Sequence, residues 1–458
     1  MAFAGRAGHA RYGTASEQGV RERFRQVAGW ACRFLAVMLC LGLVACDRTV
    51  KLAQSPTLYR LGMGFPMSEV PAALRTVDPE ILYVTDRRPD IRDGMMTGYG
   101  HERSDSMAFG VARVRFGDYG SWPQLVARSE GTKGRRESLT TESYDEEVRF
   151  PETPLPRASV GGRVVIDPAA AAEYRGAIAA FQQAVTDRLR HSDRKEVIVF
   201  VHGINNQLDD GLATTASLWH FSGRVGVPVS YSWPAGNKGL TAYIKDRESG
   251  EFSIYHFKEF LRALAAIPEL KKIHLVAHLR GADVTTSAIR ELAIFENGAG
   301  RDPRRTLKLE TLIFAAPDLD FGVVRQRLAA ENAAAAIGQV YVYINPNDGA
   351  LGLAQTLATG TRIGRLSPDE LTDREWAELG EISNVNFINV EDAGGRLGHS
   401  YFRDNPAVLS EMVLILRSGA LPGSAERPLD RVRAQFWSLH RNYPGPRIVV
   451  VRRMNSDR

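Results

Sequence analysis

One stretch of the chain leaves little freedom in what it can fold into: Ile273 to Leu292, IHLVAHLRGADVTTSAIREL. Ile273-His274-Leu275-Val276-Ala277 reads as a short buried strand, and Gly281 to Leu292 reads as a helix with apolar residues at roughly helical spacing. Between them, Ala277-His278-Leu279-Arg280-Gly281 has small residues at its first and last positions. A strand needs them there if it is to turn sharply into a helix packed on its own sheet. Such a turn holds its central residue in a strained backbone conformation, with its side chain at the top of the sheet beside the helix N-terminus. That residue is Leu279.

The rest of the chain supplies the sheet. Ala170 to His191 carries an amphipathic helical pattern and leads into Glu196 to Val201, an apolar run suited to a strand buried on both faces. His202-Gly203-Ile204-Asn205-Asn206 breaks that run. Pro228 to Pro234 reads as a strand and Ser253 to Ala266 as a helix; Tyr243, Asp246 and Ser249 read as pocket-lining residues or, preferably, as caps of that helix. Three further strands follow: Leu312 to Asp318, Val340 to Ile344 ending in Asn345-Pro346-Asn347-Asp348-Gly349, and Val385 to Val390. After the last come Glu391 to Gly398 and then His399-Ser400-Tyr401-Phe402. Strands alternating with helices predict an α/β fold with a mostly parallel central sheet and helices on both faces. Upstream, Ile81 to Thr85 and Met107 to Phe116 read as strands, 86–105 as a loop placed to border a site, and 117–160 as a surface excursion.

The formal charge of +5 over 458 residues suggests a nucleic-acid binder until the charges are located. Residues 1–33 hold six Arg against Glu17 and Glu22, and residues 421–458 hold eight Arg against Glu426, Asp430 and Asp457. The body between is near −4, which argues against a phosphate-binding surface and nucleic-acid partners. The basic start is followed by Phe34 to Ala45, an uncharged apolar run too short to span a bilayer, which takes about 20 residues. It has the length of a signal-peptide core. Leu43-Val44-Ala45-Cys46 resembles the lipobox of bacterial lipoproteins, in which the cysteine is lipidated. The only cysteines are Cys32, Cys40 and Cys46, which excludes disulfides and thiolate metal sites beyond residue 46. The expected organisation is a signal peptide over 1–45, a tether over 46–80, one domain over 81–420 and a basic extension over 421–458.

Parallel sheets carry their working loops at the carboxyl ends of the strands, so the turn at Leu279, Asp348 and His399 are expected on one edge. Val201-His202-Gly203-Ile204-Asn205-Asn206, Tyr231-Ser232-Trp233-Pro234, His274 to Gly281, Ala315-Ala316-Pro317-Asp318, Asn347-Asp348 and Gly398-His399-Ser400-Tyr401-Phe402 resemble those of a bacterial family of α/β-hydrolase-like proteins, many of them lipoproteins. The likeness runs over about residues 80–418. It implies an α/β-hydrolase fold and a nucleophile elbow reading Ala-His-Ser-Arg-Gly, with serine where Leu279 stands. It further implies Asp348 as the acid orienting His399, His399 as general base, and an oxyanion hole at the loop Gly203-Ile204-Asn205, from the backbone N–H groups of Arg280 and of Ile204 or Asn205.

Leucine can neither attack a carbonyl nor pass a proton to His399. Two expectations follow: a serine-hydrolase scaffold for an ester, thioester or amide that is inactive in this sequence, or a lipid-anchored pseudoenzyme that uses the old cleft to hold a small-molecule, lipid-like or protein ligand. A metal hydrolase using His274 and His278 lacks an acidic ligand, so no metal and no cofactor are expected. The expected location is the bacterial cell envelope, on the periplasmic side of the inner membrane. Cys46→Ala is therefore expected to release the protein from the membrane fraction of fractionated cells. Full retention of the variant, with an unmodified N-terminus in the parent, would contradict anchoring through Cys46.

Overall fold

A computed structural model describes residues 50–131, 136–239, 241–357, 360–392 and 401–445. β1 (Glu80–Arg92), β2 (Met95–Phe116) and β3 (Leu139–Arg149) form an antiparallel meander. β4 (Arg157–Val160) and β5 (Arg163–Ile166) make a separate hairpin. The parallel part comprises β6 (Glu196–Val201), β7 (Val227–Ser232), β8 (Lys272–His278), β9 (Leu309–Ala315), β10 (Ile337–Ile344) and β11 (Val385–Val390). β12 (Asp430–Arg433) and β13 (Phe436–Leu439) complete an eleven-stranded sheet of order β12-β13-β11-β10-β9-β8-β6-β7-β1-β2-β3. From β1 through β7, β6, β8, β9, β10 and β11 to β13, every neighbouring pair is parallel. The expected α/β class, mostly parallel with helices on both faces, is the one observed.

Strand residues alternate between two cores. Val197, Val199 and Val201 of β6 join the core covered by the helices Pro168–Arg190, Ala242–Ala265 and Gly281–Gly298. Ile198 and Phe200 join the core on the other face, under the helices Leu208–Phe221 and Pro406–Ser418. Asp167 starts the helix Pro168–Arg190 by accepting the N–H groups of Ala169 and Ala170 on its side chain.

Four of the expected boundaries are corrected. Within the expected tether, residues 50–80, Leu52, Leu58, Tyr59 and Phe65 are buried in the second core, and Leu58 N–H donates to Ser410 Oγ at 3.1 Å. Pro56, Pro66 and Pro71 break any period there, yet scattered apolar residues still dock. Residues 86–105 form the β1–β2 hairpin rather than a loop. Its turn is Asp93-Gly94, both at positive φ, as a tight two-residue turn requires. The supposed excursion contains the helix Trp122–Glu130 and β3. The domain also does not end at 420, because β13 pairs with β11 and Phe436 stacks on Phe387 at 4.5 Å between ring centroids.

That C-terminal edge is tied down by a buried ion pair. The side chains of Arg427 and Glu411 are fully buried, Tyr443 donates its hydroxyl to Glu411, and the Arg427 guanidinium lies 4.5 Å from the Tyr341 ring centroid. Removing one partner of such a pair strands the other charge. Arg427→Ala is expected to lower unfolding free energy by about 3–5 kcal/mol in urea, and Arg427→Met/Glu411→Leu by much less. Equal losses in the two variants would show that packing, not the stranded carboxylate, carries the effect.

Candidate active site

β8 ends at His278, and the chain turns at Leu279 with φ +49°, the left-handed region that side-chain-bearing residues rarely adopt. Such a residue stores about 1–3 kcal/mol of strain. The turn is pinned from β9: Leu279 N–H donates to Ala315 O at 3.2 Å, and Leu279 O accepts Asp318 N–H at 3.3 Å. The helix Gly281–Gly298 follows at once, and Leu279 O also accepts Ala282 N–H at 3.1 Å. A Cβ on residue 281 would lie 2.4 Å from His202 O and 2.7 Å from Val201 O. Glycine at 281 is thus a condition for the helix to lie against β6. A Cβ on residue 203 would fall 2.7 Å from Leu279 Cβ and 3.0 Å from its Cδ1, so the leucine side chain lies directly over Gly203.

Sequential connections leave β6 toward β7 on one side, while β8 sits on the other, so the turns at Gly203 and Leu279 flank the point where the order of strands reverses. In open α/β sheets that crevice is the usual ligand site. Asp348 follows β10 on the same carboxyl edge and is fully buried, with Oδ1 accepting Leu351 N–H at 2.9 Å. The Tyr401 hydroxyl joins the ends of β9 and β10, accepting Ala316 N–H and donating to Tyr343 O, both at 3.0 Å. His399 and Cys46 lie outside the described residues.

Of the expected oxyanion donors, Arg280 is the N-cap of the helix Gly281–Gly298, and its N–H meets no acceptor among the described residues. The Arg280 side chain pairs with Asp283. Asn205 is corrected: held at φ +58°, it donates its N–H to Asp246 Oδ2 at 2.7 Å, so that amide is already taken. Ile204, partly buried, is the candidate the loop retains.

Asp246 does not cap a helix either. The helix begins at Ala242, with no side-chain cap from Thr241, and brings Tyr243, Asp246, Ser249, Ser253 and His256 onto one side. Tyr243 donates to Asp318 Oδ2 at 3.0 Å, and its hydroxyl is pushed up to about 12 by burial and then by that carboxylate. Arg362 Nε stands 3.3 Å from Asp318 Oδ1. Ser249 Oγ accepts Arg103 Nε at 3.1 Å. His256 Nδ1 lies 3.0 Å from the buried Asp86 carboxylate; burial lowers the imidazole pKa, but the hydrogen bond and charge of Asp86 more than offset this and raise it. The spacing of these residues, repeating every three or four, is the signal in the sequence that would have placed them on one helix face.

Beneath the loop lies Arg87, fully buried, donating to Ser232 Oγ (2.8 Å), Gly100 O (2.9 Å), Ala235 O (2.8 Å) and Asn206 O (2.9 Å). Its Nη2 is 3.2 Å from His202 Nε2, while His202 Nδ1 is 2.8 Å from Gly203 O. A neutral ring protonated on Nδ1 satisfies both contacts. Burial first and Arg87 second push His202 down to about 3, so it is a structural ring and no general base. Among the described residues, no group of three His, Cys, Asp or Glu side chains is placed to hold a metal ion, and no helix is long and apolar enough to cross a membrane. His274 instead stands 3.3 Å from Glu196.

Unfolded, His202 titrates near 6.5; folded, near 3. Between these values only the unfolded chain binds the proton, so stability falls as pH is lowered from 6.5 toward 3 and is unaffected above. Urea denaturation at pH 6 to 4 is expected to give His202→Gln a shallower loss than the parent, by up to about 1.4 kcal/mol per pH unit. Parallel curves would contradict a neutral buried His202.

Residues 177–417 match the profile of a protein family described as alpha/beta hydrolase of unknown function (DUF900). Among solved structures, an esterase of Pyrobaculum calidifontis is similar at 11% identity over 50% of this chain and 79% of its own, with a TM-score of 0.26, too low to carry an argument. No curated protein matches.

Proposed function

The chain belongs to that family of alpha/beta hydrolases of unknown function, and from this we propose that its carboxyl-edge cleft is a serine-hydrolase site for an ester, thioester or amide, silenced because Leu279 occupies the nucleophile position. The observation that carries the reading is the left-handed backbone at Leu279, directly after β8 and pressed against Gly203. A leucine gains nothing from that conformation, whereas a nucleophile gains exposure above the sheet.

In the proposed mechanism a serine at 279 would lose its proton to His399, oriented by Asp348, and attack the substrate carbonyl. The oxyanion would accept hydrogen bonds from the N–H groups of Arg280 and of the Gly203-Ile204-Asn205 loop. Leu279 defeats this twice. It has no proton to give and no lone pair to attack with, and its isobutyl group fills the space over Gly203 that the oxyanion would need.

That same apolar plug favours a second reading, a pseudoenzyme that holds a small-molecule or lipid-like ligand, or a protein, in the cleft without turning it over. In either case we propose anchoring through lipid on Cys46, in the bacterial inner membrane and facing the periplasm.

Leu279→Ser is expected to gain fluorophosphonate labelling and turnover of activated esters, and Leu279→Ser/His399→Ala to lose both. The parent is expected at background, since removing a triad member costs several powers of ten in rate. A parent as fast as Leu279→Ser refutes the assignment of the nucleophile; an inert Leu279→Ser moves the binding reading ahead.

A further inference from the structure

Asp246 is 1% exposed and each of its carboxylate oxygens accepts two hydrogen bonds. Oδ2 takes Asn205 N–H at 2.7 Å and Gly236 N–H at 3.2 Å. Oδ1 takes Asn237 N–H at 3.1 Å and Asn237 Nδ2 at 2.8 Å. The backbone donors belong to two loops, one following β6 and one following β7. Both contain backbone that disfavours itself: Asn205 at φ +58° and Gly236 at φ +94°. A buried carboxylate that accepts several backbone N–H groups binds them more strongly than a neutral acceptor would.

The carbonyls of the same loops point the other way, at a cation. Arg87 accepts none of the amides but donates to Asn206 O and Ala235 O, one from each loop. The loops are thus stretched between a buried anion that collects their N–H groups and a buried cation that collects their C=O groups. Asn205 N–H is taken by Asp246, and Ile204 N–H, which meets no acceptor among the described residues, is the candidate amide left.

We infer that Asp246 is a positioning residue for the oxyanion hole: it selects Ile204, not Asn205, as the amide that works with Arg280. The inference rests on the serine-hydrolase reading of the cleft. Asp246 itself has its four donors in place and touches no reacting atom.

The test uses the full chain carrying Leu279→Ser, alone and with Asp246→Asn or Asp246→Glu. Steady-state hydrolysis of p-nitrophenyl acetate and butyrate is combined with amide hydrogen exchange read by mass spectrometry. Asparagine keeps the shape but presents an NH2 group to two of the donors. Leu279→Ser/Asp246→Asn is expected to lose about 100-fold in kcat, the scale of a catalytic group displaced by about 1 Å, with KM changed by less than about threefold. Exchange is expected to quicken at 203–207 and 234–239 and to stay unchanged elsewhere. Full kcat in that variant overturns the inference, and so does a loss of kcat accompanied by faster exchange across the whole sheet. Should the Asn variant fail to fold, the Glu variant decides: lowered kcat in a folded protein supports positioning, and unchanged kcat refutes it. If Leu279→Ser alone is inert, the hydrolase reading has failed, and the exchange pattern of Asp246→Asn in the parent decides the loop clamp by itself. Selective quickening at the two loops supports it; unchanged exchange overturns it.

Discussion

A Cβ at position 281 would sit 2.4 Å from His202 O, inside any tolerable contact, so the helix Gly281–Gly298 reaches the sheet only because residue 281 is glycine. That approach brings the turns after β6 and β8 together. With the helix that close, the chain leaves β8 with no room for a relaxed loop, and residue 279 takes up the left-handed conformation. Gly203 must then be bare, since Leu279 already occupies the space its Cβ would need. The cleft is a by-product of two backbones in contact, and the side chain at 279 is the part of it that the fold does not dictate.

Much of this was legible because it is written in local spacing. The small residues Ala277 and Gly281 around Leu279 mark a sharp strand-to-helix turn, and the apolar run Glu196 to Val201 marks a strand covered on both faces. Other parts depend on partners hundreds of residues away. Leu52, Tyr59 and Phe65 show no period, and only the second core, completed by the helix Pro406–Ser418, gives them a place. Asp93-Gly94 is a two-residue hairpin turn hidden among polar and charged residues, which is why 86–105 reads as a loop in the sequence. Asp246 reads as a cap because an acidic residue stands just before the stronger apolar pattern, whereas its helix starts eleven residues before that pattern does.

The buried charges share a design. Arg87, Asp246 and the Arg427–Glu411 pair each sit out of water, where an ion left alone costs several kcal/mol. Each is surrounded by hydrogen-bonding groups that satisfy it, and each joins segments that are not neighbours in sequence. Arg87 ties the first strand to the loops after β6 and β7; Arg427 ties the last strands to the helix Pro406–Ser418. Apolar residues could fill those volumes with equal stability, but they would not dictate which loop atom faces which way.

The contact between Leu58 and Ser410 carries a consequence for how the protein is made. The segment at the start of the domain covers the same core as a helix near its end, 352 positions later. Phe65 packs on Trp122 and His220 and Tyr59 donates to Phe221 O, so these residues find partners once synthesis has passed Phe221, but the Leu58 contact stays open until the helix Pro406–Ser418 exists. The seal over this face can therefore close only after synthesis has passed the helix Pro406–Ser418.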